Sequence, residues 1–491
     1  MILSAYQPVR VLHHFEAISQ IPRGSGDEKR VSDFIAQWAQ TLDLKVVQDA
    51  YYNLVIYKPA TAGYEGAAPV ILQGHLDMVC EKNSGTAHDF TREPLKLYVD
   101  GDYIRAKGTT LGADNGIAVA MCMALLEADN VAHPPLEVVF TTDEEAGMGG
   151  AMNLDGNLLA GRRMINMDSS KEGTFVVGSA AGATAEYAVP VQCEAAGAFS
   201  QVYKLVVKGL TGGHSGSDIH RERGNALRIL GNVLNQLDLA AELRIVSASG
   251  GMKVNAIPRE AEAVIAVDPA GADKLHTAFE KCVADMKMLF RVADPGLDIT
   301  LAAVASASVP ASDPTAKVMA GPCGKNLIAS LILLPVGVQC MSRDIEGMVA
   351  ASCNIGVLET VADAVKISCM PRGASNEHNH QTELKIGALA KLTGSDFYFA
   401  QRSPAWPFNP DSRLITAFAD CYRRMYGKDA VITALHAGLE GGIFLDKLPG
   451  LDIISMGPDI HDLHTPDERL SVSSTARVWE FLCGVLGEMN A

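Results

Sequence analysis

Apolar positions in the first third of the chain recur with two alternating periods. Val31, Phe34, Ile35, Trp38 and Ala39 fall at helical spacing and predict a helix over 31–41. Short continuous apolar runs predict strands at 53–57, 69–72, 136–141 and 163–167, with a further helix at 116–128. Strands without a polar face, separated by helices, read as a mainly parallel sheet covered on both sides. The middle of the chain differs. Residues 202–207 alternate like a half-exposed strand, 222–237 read as helix, 261–267 as strand and 272–289 as helix. A loop rich in Ala, Ser and Pro at 302–314 interrupts this order, before a strand-rich stretch at 352–369 and a helix at 381–393. The end returns to the first pattern, with a helix at 411–426, a strand at 451–456 and a closing helix at 473–489. The economical reading is an α/β domain split in sequence, 1–186 and 396–491, with an α+β lid domain inserted at 187–395.

The length of 491 residues fits this division, at roughly 100–200 residues per domain. The 57 Asp+Glu outweigh the 41 Lys+Arg, a formal charge of −16, which argues against nucleic acid or an anionic membrane as partner. No stretch reaches the ~18–20 continuous apolar residues of a membrane span. The longest apolar run, 327–341, carries Ser330, Pro335 and Gln339 and reads as buried core. The N-terminus lacks a basic segment followed by a long apolar one, so no secretory signal is expected. The ten cysteines are scattered, without a Cys-x-x-Cys pair, as in reduced, buried thiols of the cytoplasm.

In parallel α/β sheets ligands bind beyond the carboxyl ends of the strands. The residues after each predicted strand are therefore informative. They are His75 and Asp77, the pair Glu144-Glu145, Asp168, and the later His461 and His464; Asp114 precedes the helix at 116. Singly, each has a plain explanation: a solvated Glu pair, a buried imidazole, or a helix cap. Together they form an imidazole and carboxylate set without thiolate, which suits catalytic Zn²⁺, or Mn²⁺ or Co²⁺. Of two adjacent acids at a strand-to-loop corner, one can bind metal while the other serves as general base. Asp77 lies two residues from His75 and can orient it.

Gly-His-Leu-Asp-Met-Val (74–79), Gly-Thr-Thr-Leu-Gly-Ala-Asp-Asn-Gly (108–116), Thr-Asp-Glu-Glu-Ala-Gly-Met (142–148) and Asn-Met-Asp-Ser (166–169) resemble a di-zinc metallopeptidase superfamily. It includes aminoacylase, the carnosinases and the tripeptide aminopeptidases. Further segments are similar to the bacterial Xaa-His dipeptidases: Gly-Gly-His-Ser-Gly (212–216), Asn-Ala-Ile-Pro-Arg-Glu (255–260), His-Ala-Gly-Leu-Glu (436–440) and His-Thr-Pro-Asp-Glu (464–468). The resemblance implies a cytosolic dipeptidase with two Zn²⁺ per chain, Co²⁺ or Mn²⁺ being substitutes. His75 and Asp168 would bind one metal, Glu145 and His464 the other, and Asp114 both, with His461 a rival to His464. The peptide bond after Asp114 would be cis. Glu144 would activate a metal-bridging hydroxide and Asp77 would orient. His214 of the lid would stabilise the oxyanion, in cis or from a partner in a homodimer. Arg372 would bind the substrate carboxylate, Asn255 and Gly438 would contact substrate, and charge complementarity sets Glu440 against its ammonium. The implied substrates are unblocked dipeptides, Xaa-His and β-Ala-His above all. The rivals are an aminoacylase or tripeptide aminopeptidase, and a non-catalytic peptide-binding relative.

Overall fold

The computed structural model describes residues 2–304 and 317–490. Most of the loop expected at 302–314 lies outside the described residues. The chain divides into two compact units. One comprises Met1–Ser179, Trp406–Ala434 and Leu439–Ala491; the other comprises Ala180–Ala405 and Leu435–Gly438. The split, inserted organisation is thus present, with edges that differ from 186/187 and 395/396. The strands Ala181–Pro190 and Asp396–Ser403 pair with each other, so they belong to one sheet and one unit.

The first unit is built on an eight-stranded sheet. Its order is Lys45–Gln48, Leu54–Lys58, Leu136–Thr141, Val70–His75, Arg163–Asn166, Asp452–Ser455, Thr174–Ser179 and Val431–Leu435. The four central strands, from Leu136–Thr141 to Asp452–Ser455, are parallel. Antiparallel pairings flank them, so the sheet is mixed rather than uniformly parallel. Val70, Ile71, Leu72, Val138, Val139 and Phe140 are all buried, which is why these strands carry no polar alternation. The helix Ala113–Glu127 is apolar on every side and buried along nearly its whole length. Parallel strands place the residues following Val70–His75, Leu136–Thr141 and Arg163–Asn166 at the same sheet edge.

The second unit carries a largely antiparallel nine-stranded sheet. Its central hairpin, Val349–Thr360 with Ala364–Gly373, runs antiparallel beside Ala181–Pro190. Leu227, Leu230 and Leu234 of the helix Ala226–Ala240 pack in one core with Leu205, Ile245 and Ile265 of the sheet and Leu327 and Leu331 of the helix Gly321–Leu333. Three expectations are corrected here. The helix expected from 222 starts at Ala226, because Asn225 caps the N–H groups of Leu227 and Arg228 while Glu222 is left-handed. The apolar run 327–341 is not one buried element. It splits at Pro335 into the helix ending at Leu333 and the strand Gly337–Met341, and Leu333 and Met341 are exposed. All ten cysteines are free, and Cys80, Cys193 and Cys340 are exposed rather than buried. Among the described residues no helix is long and apolar enough to cross a membrane.

Candidate active site

In the first unit five donors come together, His75, Glu145 and Asp168 at or beyond the ends of parallel strands, Asp114 at the start of the helix Ala113–Glu127, and His464 in the turn between Ile460–His461 and Arg469–Ser471. His75 closes the strand Val70–His75, and its Nε2 lies 3.3 Å from Asp114 Oδ1 and 3.6 Å from Asp168 Oδ1. His464 Nε2 lies 2.9 Å from Glu145 Oε1 and 3.3 Å from Asp114 Oδ2. Asp114 therefore offers one oxygen to each histidine. Three overlapping sets arise, His75–Asp114–Asp168, His75–Glu144–Glu145 and Asp114–Glu145–His464, with ligand atoms within 4.8 Å of one another in each. His461 is not among them. Its exposed ring packs edge-on against Tyr103, at 5.8 Å between centroids.

Local backbone explains the convergence. Asp143 is left-handed, which turns the chain sharply out of the strand Leu136–Thr141 and presents Glu144 and Glu145 on one short helical turn. The Asp114–Asn115 peptide is cis, as the resemblance implied. Asp114 does not cap its helix. Asn115 instead accepts from the His75 amide at 3.2 Å and donates to the Met167 carbonyl at 2.9 Å, tying two ligand-bearing strand ends together. Asp77 does more than orient His75. Its Oδ1 lies 3.3 Å from His75 Nδ1, and its carboxylate accepts the amides of Glu144 and Glu145, each at 3.1 Å, and the Ser25 hydroxyl at 2.8 Å. Nothing in the sequence pattern pointed to Ser25.

Charge shows what this donor set lacks as protein alone. Burial pushes Glu144 well above the usual carboxylate range; His75 opposes this, and Asp168, Glu440 and Glu145 add to it. Asp168 is driven up to about 7 by burial first, with Asp114 and Glu145 contributing and His75 opposing. Asp77 stays at about 2, because bonds from His75, Ser25 and the Glu144 amide outweigh its burial. His464 rises to about 10 through its bonds to Asp114 and Glu145, and burial only partly opposes this. His75 is raised too: burial opposes protonation, but Asp114, Asp168 and Asp77 overcome it. The carboxylates thus hold protons on both imidazoles, where divalent cations would take their place. The residues present fit a metal centre.

Glu440 departs from its expected role. It does not line an open wall. It is buried, and its Oε2 accepts from Gln73 Nε2 at 2.6 Å and Thr141 Oγ1 at 2.8 Å. Burial pushes its carboxyl up to about 8, His75 and the Thr141 bond opposing and Asp168 adding. A buried acid and an exposed one look the same in sequence.

The second unit assembles a separate group of polar side chains. His214 sits in the Gly-rich turn 212–216, where its Nδ1 accepts from the amides of Gly216 at 3.2 Å and Ser217 at 3.1 Å. Burial, with the charge of Arg372 next, pushes His214 below its usual value, and Asp218 only partly opposes this. A neutral ring whose Nδ1 is the acceptor carries its proton on Nε2 and is a donor there. Arg372 is buried in the strand Ala364–Gly373. Its Nε has no hydrogen-bond partner among the described residues, and burial lowers the guanidinium to about 10. A buried cation without a counter-charge is costly, so the position favours an anion. Asn255 is exposed, and its carbonyl accepts the Ser215 amide at 2.8 Å, bracing the turn that holds His214. Gly438 is half-buried on 435–438, the short segment that also contributes His436.

His436 carried no expected role, although it opens the motif 436–440. It is buried, and its Nε2 lies 2.7 Å from Ser352 Oγ. Burial, then the Arg372 charge, pushes it down to about 3, against about 6.5 in an unfolded chain. The unfolded state therefore binds the extra proton between those values, and stability contributed by the neutral ring declines as pH falls through that window. Between pH 6.5 and 4.5, His436→Gln should lose about 2–3 kcal/mol less stability than the parent in urea unfolding. Parallel losses in the two proteins would rule this out.

Carboxylates and imidazoles gathered at the carboxyl edge of the parallel strands mark a metal-dependent hydrolase. Comparison with known proteins says which kind. The sequence model of Peptidase family M20/M25/M40 matches residues 71–488, and the chain belongs to that family. It is 37% identical over 489 residues to the cytosol non-specific dipeptidase of Escherichia coli (strain K12), covering 100% of this chain and 99% of the relative. The crystal structure of an aminoacylhistidine dipeptidase from Vibrio alginolyticus superimposes with a TM-score of 0.90 at 36% identity, covering 99% of this chain and 98% of that one. An aminopeptidase structure from Bacillus cereus, at 15% identity and a TM-score of 0.57 over 99% of this chain and 100% of that one, shares the fold.

Proposed function

We propose that this chain is a cytoplasmic dipeptidase that uses two divalent metals, normally zinc, to cleave unblocked dipeptides, with Xaa-His, β-Ala-His included, among the preferred ones. The observation that carries the reading is likeness over the full length to a relative named as a non-specific dipeptidase. The name of the Vibrio alginolyticus enzyme supports the Xaa-His preference.

His75 and Asp168 would hold one metal, Glu145 and His464 the other, and Asp114 would serve both. Bound there, the metals supply Lewis-acid polarisation of the scissile carbonyl and a water of lowered pKa. Glu144, buried beside the donor set, takes the proton of the attacking water and passes it to the leaving nitrogen. Asp77 keeps His75 and the Glu144–Glu145 turn in register. His214 donates from Nε2–H to the developing oxyanion. Arg372 grips the dipeptide's carboxylate through two parallel hydrogen bonds, and Asn255 and Gly438 contribute contacts to the substrate.

Two measurements test this. Zinc-loaded protein should hydrolyse Ala-His and leave N-acetyl-Ala-His intact; equal rates on both would favour an aminoacylase. Arg372→Lys keeps the charge and loses the fork, and kcat/KM for Ala-His should fall about 10–100-fold, charge-assisted hydrogen bonds contributing about 1.5–3 kcal/mol. An unchanged kcat/KM would remove Arg372 from the substrate site.

A further inference from the structure

Glu468 ends the motif that begins with His464, and it is almost completely buried. Its Oε2 accepts the amides of Leu111 at 2.8 Å and Gly112 at 3.0 Å, and its Oε1 those of Ala113 at 2.9 Å and Asp114 at 3.3 Å. Consecutive amides reach one carboxylate only if the backbone curls around it, and left-handed Gly112, at φ 66°, supplies the curl. From the other side, buried Arg23 donates to the carbonyls of Leu76 at 2.8 Å and Asp77 at 3.1 Å, and to that of Gly112. A Cβ on Gly112 would meet Arg23 Nη2 and Met78 Sδ, each at 2.7 Å. Gly112 is therefore gripped through its N–H by Glu468 and through its C=O by Arg23.

These grips serve different ligands. His75 closes and Asp168 follows central strands that pair in parallel, from Val70 with Arg163 to Gln73 with Asn166. Sheet pairing sets their spacing without help from Glu468. His464 instead lies half-exposed and left-handed in the turn between Ile460–His461 and Arg469–Ser471. Four positions along the chain lies Glu468, which bonds to the amide of Asp114 itself.

We infer that Glu468 is a positioning residue for one half of the metal centre: it sets His464 against Asp114 and so governs the metal that Glu145 and His464 hold, while Arg23 sets Asp114 against His75. The inference rests on the two-metal reading. Glu468→Gln keeps the shape but puts an amide N–H₂ where an acceptor stood, facing backbone donors.

The test titrates zinc-loaded parent and E468Q with a chelator and counts zinc per chain at each step. The expected result is that one zinc of E468Q is released at about 10–100-fold lower chelator concentration than in the parent, the range for outer partners of metal ligands, while the other, which shares Asp114, shifts by clearly less. Circular dichroism of both apoproteins should coincide. Release of both zincs as in the parent, or equal weakening of both, overturns the inference. If E468Q does not fold, E468D, which keeps the charge and shortens the reach, is read by the same criteria. A parent that holds fewer than two zincs would instead defeat the two-metal reading.

Discussion

Glu144→Gln will reduce kcat on Ala-His by about 10²–10⁴-fold, the contribution of a positioned general base, with KM and bound metal nearly unchanged. The reason is positional. Asp77 holds the Glu144 amide at 3.1 Å independently of the side chain's charge, so the turn survives the substitution. Glu145, the neighbouring ligand, keeps its own amide bond to Asp77. What is lost is an acceptor for the water's proton. Burial, with Asp168, Glu440 and Glu145 adding and His75 opposing, gives Glu144 a proton affinity far above a surface carboxylate's. A kcat within tenfold of the parent would place the base elsewhere; loss of metal would mean that Glu144 acts as a ligand.

Asp114→Ala should remove both metals' common support. Oδ1 lies 3.3 Å from His75 Nε2 and Oδ2 3.3 Å from His464 Nε2, so one side chain stands between the two halves of the donor set. Metal content of the purified variant should fall well below that of the parent. Activity should drop ~10³-fold or more, since metal stabilisation of several kcal/mol is at stake and each 1.36 kcal/mol is a factor of ten. Two metals retained with near-parental activity would exclude a bridging role. The contrast with Glu144→Gln is diagnostic, because that variant keeps its metals and loses the reaction.

Much of the site is legible in the amino-acid sequence. His75, Glu144–Glu145 and Asp168 stand at ends of parallel strands, on one edge of the sheet, and the runs around them and around Asp114 belong to a known set of motifs. The rest consists of interactions between segments distant in sequence. Arg23 and Ser25 sit near the N-terminus in a stretch without periodicity, yet they serve Asp77 and Gly112. Glu468 and His436 lie inside recognisable motifs, but a motif does not say which donor a carboxylate or imidazole will meet. Glu440 shows the reverse error. Charge complementarity suggested an ammonium partner, whereas its carboxyl is buried against Gln73 and Thr141.

The division between the two levels follows from the range of the forces. Local sequence dictated the strands, because apolar side chains at 70–72 and 138–140 must leave water whatever surrounds them. It also dictated the order of the elements, and with it an inserted second unit. Tertiary structure decided the sheet's antiparallel flanks and its strand order, which depend on pairings between remote segments. It decided as well that His464 rather than His461 meets Glu145, and which acids are buried together. Desolvation and Coulomb repulsion act through space, so proton affinities as different as those of Asp77 and Asp168 arise only once the chain has folded.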